Sequence, residues 1–381
     1  MTELILRLLG DKPCAALTRE GKLTDYWELA QDNAFHPEAI LLAKAGRVMK
    51  NLNAMFVTLP EGREGFLPFD EMPANLKVKP GDKLLVQVKK PPIGDKAAFL
   101  SMDIRLPGRL SMLLPLGGAA HASRRAERAV ETKALAQKLR PKSMGLVLRA
   151  NAVDASVDEI KAEIESLVNV WGEISKAAGN KSAPALIRAP PGPLKRILRD
   201  LKQLPERVIT DDEKIAGELG LPMLFSEDPF GLCGVEQQLF QALRRRVYLP
   251  SGGTLVLDPC EAALLVDVNS AGDTRKGGDA PLRTNLEAAD EAARLFRLRR
   301  AGGIILIDFI DMMDENSRQL VLQRLKDALK GDPAVTEVYG FTRLGLVEMT
   351  RKRGDTQLKA ERFTKGAENA WIMETSEDMN A

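Results

Sequence analysis

Cysteine and histidine are the scarcest chemical resources of this 381-residue chain, and their scarcity removes several function classes at once. Cys14, Cys233 and Cys260 are scattered, odd in number and without CxxC spacing, which argues against both a disulfide framework and a structural zinc site. His36 and His121 lie far along the chain from the acidic positions singled out below, so histidine acid–base chemistry has little material. No apolar run reaches the roughly 18 residues of a membrane span, and the opening Met1-Thr2-Glu3-Leu4 lacks a basic signal-peptide start, so the cytoplasm is the expected location. Nor is there a large net charge. Fifty-five basic against 53 acidic residues leave +2, which does not announce a polyanion partner.

What is present is a soluble composition, 44% hydrophobic and 28% charged, in a chain long enough for two or three domains. Basic residues do cluster locally, at Arg124-Arg125, Lys195-Arg196, Arg244-Arg245-Arg246, Arg299-Arg300 and Arg351-Lys352-Arg353. Each cluster alone reads as a solvated face; only a fold that assembled several would make a phosphate-binding surface. Arg275-Lys276-Gly277-Gly278 lacks the spacing of a phosphate-cradling loop and reads as a basic loop.

The most informative feature is a pair of aspartates in apolar surroundings. Asp267 sits in Leu264-Leu265-Val266-Asp267-Val268-Asn269, and Asp308 in Ile304-Ile305-Leu306-Ile307-Asp308-Phe309-Ile310-Asp311. Both runs read as buried strands, where an isolated carboxylate is costly unless a cation or hydrogen bonds compensate it. Two such strands suggest a divalent-metal site; carboxylates satisfied by backbone amides are the alternative. Asp267 and Asn269 share a strand face, so the amide can fix its neighbour's carboxylate. Asp311 falls on the other face from Asp308 and reads as a helix cap. Between the strands, Thr284-Asn285-Leu286-Glu287 has capping-box spacing, and Leu286, Ala289, Ala293 and Phe296 follow on one helical face until Gly302-Gly303. Strand, helix, strand predicts a parallel crossover with its ligand site beyond the carboxyl ends of the strands.

Upstream the texture differs. Residues 1–34 begin with a strand and a Gly21-Lys22 turn. Residues 35–106 alternate short strands with tight turns, including Ala54 to Leu59, Gly65-Phe66-Leu67-Pro68, Pro80-Gly81-Asp82 and Leu84 to Val88. Such spacing predicts a small barrel of the OB type, with Phe56 and Phe66 as either stacking platforms or barrel core, and Lys96 as a phosphate contact. In 107–194, Ser156 to Glu159 opens a helix with a core stripe of Ile160, Ile164, Leu167, Val168 and Trp171, and Pro190-Pro191-Gly192-Pro193 marks a boundary. Residues 195–242 read as mainly helical, 243–353 as the α/β unit of the aspartates, and 354–381 as a polar tail.

In these motifs the sequence resembles the ribonuclease E/G family. The residues that carry the likeness are Leu249-Pro250-Ser251-Gly252-Gly253, Val266 to Ser270, Thr284 to Glu291, Gly302 through Met312, and Gly345 to Arg351. The resemblance implies an α+β, α/β multidomain protein. Residues 1–34 and 195–242 would form a ribonuclease-H-like part, with an S1-type OB barrel (35–106) inserted. A 5′-sensor segment (107–194) and a DNase-I-like catalytic subdomain (243–353) complete it. It implies a Mg2+-dependent endoribonuclease acting on single-stranded RNA, with Mn2+ able to replace Mg2+. Asp267 and Asp308 match its metal-binding carboxylates and Asn269 the asparagine that positions them. Phe56, Phe66 and Lys96 match RNA-binding positions, and Arg149 the arginine that holds a 5′-phosphate.

Departures are visible too. Ala150 stands where the family often has threonine, so preference for 5′-monophosphorylated RNA is in question. The family's zinc-sharing cysteines have no counterpart in 354–381; structural zinc is not expected, and a homodimer would need other surfaces. The segment between Lys195 and Phe230 is shorter than usual, and no arginine-rich scaffold tail is seen. Two other readings remain at this level: an RNA-binding protein without turnover, and a metal-dependent DNA nuclease.

Overall fold

A computed structural model describes the chain except residues 11, 30–34, 75, 93–95, 124–127, 271–279, 313, 355–356, 359–362, 366–370 and 374–381; for 216–218, 363–365 and 371–373 it describes the backbone alone. The Arg124-Arg125 cluster and the Arg275 to Gly278 loop therefore lie outside the described residues. Two compact units result, one of residues 1–29 with 203–381, the other of residues 30–202.

The first unit begins with an antiparallel meander, β1 (Thr2–Arg7), β2 (Cys14–Arg19) and β3 (Lys22–Glu28). Leu4, Ile5 and Leu6 are all fully buried, as befits a strand covered on both faces.

The second unit opens with a barrel. β4 (Ile40–Met49), β5 (Ala54–Thr58), β6 (Glu64–Pro68), β7 (Lys83–Lys90) and β8 (Ala98–Ser101) pair in the order β4-β5-β6-β8-β7, and β7 returns to β4 to close the ring. Leu41, Ala43, Met55, Val57, Leu67, Val86, Val88 and Leu100 fill it. A closed five-stranded barrel is consistent with an S1 or OB-like fold. Next come β9 (Leu106–Pro107), β10 (Ser111–Leu114), β11 (Ala120–Ala122), α1 (Ala129–Leu139) and β12 (Gly145–Leu148), whose strands order as β11-β12-β10-β9. α2 (Val157–Asn180) starts where Ser156 to Glu159 is expected to open a helix, with Ser156 and Glu159 forming a capping box, and buries Ile160, Ile164 and Ile174. β13 (Ala185–Arg188) adds to β4, and α3 (Pro193–Asp200) ends the unit.

The chain then returns to the first unit. β14 (Arg207–Thr210) lies parallel to β1, and after α4 (Lys214–Leu219), β15 (Met223–Phe225) lies parallel to β14. The reading of 195–242 as mainly helical missed these two short strands, coded by Arg207-Val208-Ile209-Thr210 and Met223-Leu224-Phe225, which are too brief for a periodicity argument to find. α5 (Pro229–Leu232) and α6 (Val235–Leu243) follow.

A second sheet holds the aspartates. It comprises β16 (Arg246–Tyr248), β17 (Thr254–Pro259), β18 (Ala263–Asn269), β19 (Gly303–Asp308), β20 (Thr336–Phe341) and β21 (Val347–Arg351), ordered β16-β17-β18-β19-β21-β20. Helix α7 (Ala280–Leu298) connects β18 to its parallel partner β19, and α8 (Glu315–Leu329) follows β19. Leu255, Leu257, Val266, Val268, Ile305 and Ile307 share a core with Ala288, Ala292 and Phe296 of α7 and Val321 and Leu325 of α8. Beneath the sheet edge, Arg351 (5% exposed side chain) forms a bidentate ion pair with Asp332 (2%). No helix among the described residues is long and apolar enough to cross a membrane.

Candidate active site

The two aspartates are exact register partners: Asp267 of β18 lies opposite Asp308 of β19 in the parallel ladder. Neighbouring strands stand about 4.8 Å apart and paired residues point to one face, so two carboxylates project side by side from the sheet. That face is not the buried one. Leu265, Asp267, Asn269, Ile304 and Asp308 are all exposed, while the alternate residues Val266, Val268, Ile305 and Ile307 point into the core. The expectation of buried carboxylates is therefore corrected. Among the described residues, helices cover one face of this sheet, and apolar Leu265 and Ile304 on the other made each run look doubly buried.

Asn269 shares this face, and its Nδ2 donates to Asp267 Oδ2 at 2.7 Å. Burial at the strand end, then the charges of Asp267 and Asp311, push the Asp308 carboxyl above the usual carboxylate range. Asp311 is exposed and does not cap a helix; Asp314 takes that role on α8, accepting from Ser317 N at 2.8 Å. Among the described residues, no cation pairs with Asp267, Asp308 or Asp311. Two oxygen-donor groups side by side, with the charge of Asp267 raising the cost of charge on Asp308, make a hard-ion donor set. No cluster of three or more acidic, histidine or cysteine ligands occurs among the described residues, so a bound ion would keep much of its water shell.

Two neighbours escaped the sequence reading. Thr284 to Glu287 is not a cap, because α7 already begins at Ala280 and buries Thr284 and Asn285. Fully buried Asn285 instead clamps the loop beyond Asp308: its Oδ1 accepts from Ile310 N at 3.0 Å and its Nδ2 donates to Ile310 O at 2.8 Å. Glu287 accepts from Ser251 N at 2.8 Å, fixing the turn before β17. There a Cβ on Gly253 would come within 2.7 Å of Thr284 and 2.9 Å of the Asn269 carbonyl, so only glycine admits both. The signal was an unusual one: buried asparagine in a helix, which propensity disfavours and a distant hydrogen bond must compensate.

The other predicted residues lie in the second unit. Phe56 and Phe66 pair across β5 and β6 with ring centroids 5.7 Å apart. Both are half-buried and point outward, since Met55, Val57 and Leu67 take the interior; they are not barrel core. Lys96 is exposed just before β8. Arg149 directly follows β12, a strand of a different sheet, and donates to Gly108 O at 2.6 Å and to Asp200 Oδ1 at 2.7 Å. Burial alone would raise the Asp200 carboxyl, yet hydrogen bonds and charge from Arg199, then Arg149, outweigh it and hold it below the usual range. Arg199 in turn grips Glu38 through both nitrogens, at 2.7 and 2.9 Å. A carboxylate thus already sits on the predicted phosphate-binding guanidinium, and Ala150 supplies no hydroxyl beside it.

With this geometry in place, comparison with known proteins is direct. The sequence model of the Ribonuclease E/G family matches residues 105–354. Ribonuclease E of Escherichia coli is 35% identical over 82% of this chain, and that match covers 33% of the relative. Ribonuclease E of Synechocystis is 32% identical over 82% of this chain and 52% of its own length, and ribonuclease G of Haemophilus influenzae 30% identical over 92% and 79%. The chain thus spans a third to about half of the ribonuclease E sequences and about four fifths of the ribonuclease G sequence. With more than half of its residues under the family's sequence model, this chain belongs to the ribonuclease E/G family.

Proposed function

We propose that the chain is a cytoplasmic, metal-dependent endoribonuclease that cleaves single-stranded RNA to 5′-phosphate and 3′-hydroxyl ends in RNA processing or decay. The observation that carries this reading is the side-by-side pair Asp267 and Asp308, exposed on one sheet face with Asn269 holding the first. In this reading the six-stranded sheet is the DNase-I-like catalytic subdomain, and the sheet of β1–β3, β14 and β15 is the ribonuclease-H-like part. The barrel is the S1 domain and the segment around Arg149 the 5′ sensor. Homodimerisation through surfaces other than a zinc link is compatible with it.

Asp267 and Asp308 would hold a Mg2+ ion, or Mn2+ in its place; such an ion, when bound, supplies Lewis acidity at the scissile phosphate and lowers the pKa of a bound water. The chain's own contribution is orientation. Asn269 fixes one carboxylate oxygen of Asp267, and Asn285 holds the loop that leaves Asp308. Both aspartates must be ionised to act, and the raised Asp308 pKa sets the acid limit. Phe56, Phe66 and Lys96 would retain the RNA strand through stacking and phosphate contact. Arg149 would meet a 5′-terminal phosphate only by exchanging it for Asp200.

The test is cleavage of an internally labelled single-stranded RNA with Mg2+, comparing the wild type with Asp267→Asn and Asp308→Asn. Cleavage lost in both variants with RNA binding retained supports the enzyme. A wild type that binds RNA but never cuts it, with or without Mn2+, would leave a binding protein instead.

A further inference from the structure

Every strand of the barrel contributes one side chain to a single row across its outer surface. β5 gives Phe56, β6 gives Phe66 directly opposite, and β8 gives Phe99, the register partner of Phe66 in a parallel pairing. Ring centroids are 5.7 Å apart for Phe56–Phe66 and 6.1 Å for Phe66–Phe99. At one end Arg47 of β4 sets its guanidinium 5.8 Å over the Phe56 ring. At the other, Lys90 of β7, register partner of Phe99, sets its ammonium 5.8 Å over that ring. The order is cation, three phenyl rings, cation.

The backbone is adapted to this row. Gly46 lies so close to β5 that a Cβ would stand 2.8 Å from the Phe56 carbonyl, and this close approach accompanies the irregularity between Ala45 and Val48 that carries Arg47. Inside, a Cβ on Gly65 would meet Leu100 at 2.4 Å and Leu59 at 3.0 Å, so the barrel wall beneath the rings is drawn tight. The interior is already filled by Val57, Leu67, Ala98 and Leu100; the phenylalanines add nothing to it and remain half-buried outside. Arg47 and Lys90 are exposed and, among the described residues, neither has a carboxylate partner. Apolar rings bounded by unneutralised cations complement a polymer of bases and phosphates.

We propose that Phe99 is a third base-stacking platform and that Arg47 and Lys90 are the phosphate contacts at the two ends of the row, so that the barrel holds a longer run of single-stranded RNA than Phe56 and Phe66 alone would. This extends the RNA-binding reading of the barrel and rests on it. The rings meet at 65° and 47° rather than face to face, which leaves ring surface for bases to cover.

The experiment measures binding of a fluorescein-labelled ten-nucleotide oligouridylate by anisotropy. It uses the full chain carrying Asp308→Asn to prevent cutting, and adds Phe99→Ala, Phe99→Leu, Phe99→Trp or Phe56→Ala. Loss of about 10-fold in affinity for Phe99→Ala and Phe99→Leu, with Phe99→Trp binding as tightly as the parent, is the expected result. Phe99→Leu keeps an apolar group in the row, so its loss reports the aromatic face rather than packing, and thermal melting confirms that each variant folds. Arg47→Ala and Lys90→Ala should each reduce the slope of log affinity against log salt by about 0.7. Phe99 variants within about 2-fold of the parent, while Phe56→Ala loses about 10-fold, overturn the third platform and leave the barrel's RNA role standing. Unchanged binding in Phe56→Ala as well overturns both.

Discussion

Asp308 is the residue whose titration reports most on the candidate site. Although exposed, its carboxyl is raised by partial desolvation at the strand end and by the negative charges of Asp267 and Asp311. On the proposed reading, a proton would compete with a cation there at a pH where an ordinary aspartate is already ionised. Cleavage should decline on acidification through this raised pKa. The ion-free fold behaves oppositely: its contribution from Asp308 is fully present below the unfolded pKa and is lost as pH rises through the folded one. Replacing Asp267 by asparagine removes one of the charges, so the Asp308 carboxyl-carbon titration followed by NMR should move toward lower pH; an unmoved titration would mean that the two groups do not interact. Arg149 carries a second prediction at this scale. Asp200 occupies its guanidinium, so wild-type cleavage of 5′-monophosphate and 5′-hydroxyl substrates should differ little. Asp200→Asn should then favour the monophosphate by about 5-fold, the scale of one partly exposed ion pair. Asp267 and Asp308 were legible because charge interrupts two apolar runs. Asp200 was not, since its link to Arg149 spans 51 positions and no local pattern announces it.

At the scale of elements, α7 is more than a crossover. Its buried Asn285 makes two hydrogen bonds to the backbone of Ile310, and so ties the helix to the loop that follows β19, the strand of Asp308. Asn285→Ala should lower stability by about 1–3 kcal/mol, measured by urea unfolding, because it strands a buried amide and carbonyl without partners. It should also reduce cleavage more than Leu286→Ala, a neighbouring, partly buried apolar position on the same helix; equal losses would reduce Asn285 to ordinary packing. Capping-box spacing misplaced this segment, since Thr284 and Glu287 fit a helix start by residue type while the helix is already formed at Ala280. Strand parity was read correctly for Asp267 with Asn269, a local relation. The burial of that face was misread, because Leu265 and Ile304 give an open sheet the composition of a covered one. Phe99 illustrates the remaining gap: within Ala97-Ala98-Phe99-Leu100 it looks like any small-barrel residue, and only the β6–β8 pairing aligns it with Phe66.

For the whole molecule, the proposed metal site would couple ion binding to folding. Mg2+ at about 100 times its dissociation constant should stabilise the chain by about 2.7 kcal/mol, seen as a raised Tm. Asp308→Asn should abolish most of that gain while leaving the melting point without metal unchanged or higher, because a repulsion has been removed. A metal-induced rise that persists in Asp308→Asn would place the ion elsewhere. Both helices next to the aspartates lie beneath their sheet, and Asp267, Asn269 and Asp308 stand exposed on its other side. A blind pocket can receive only the tip of a polymer, whereas a surface open along its length lets a strand be laid across it from the side. On the proposed reading, selection of an internal phosphodiester would need no threading from a free terminus, and loops or circles of RNA should be cleaved as readily as linear ends.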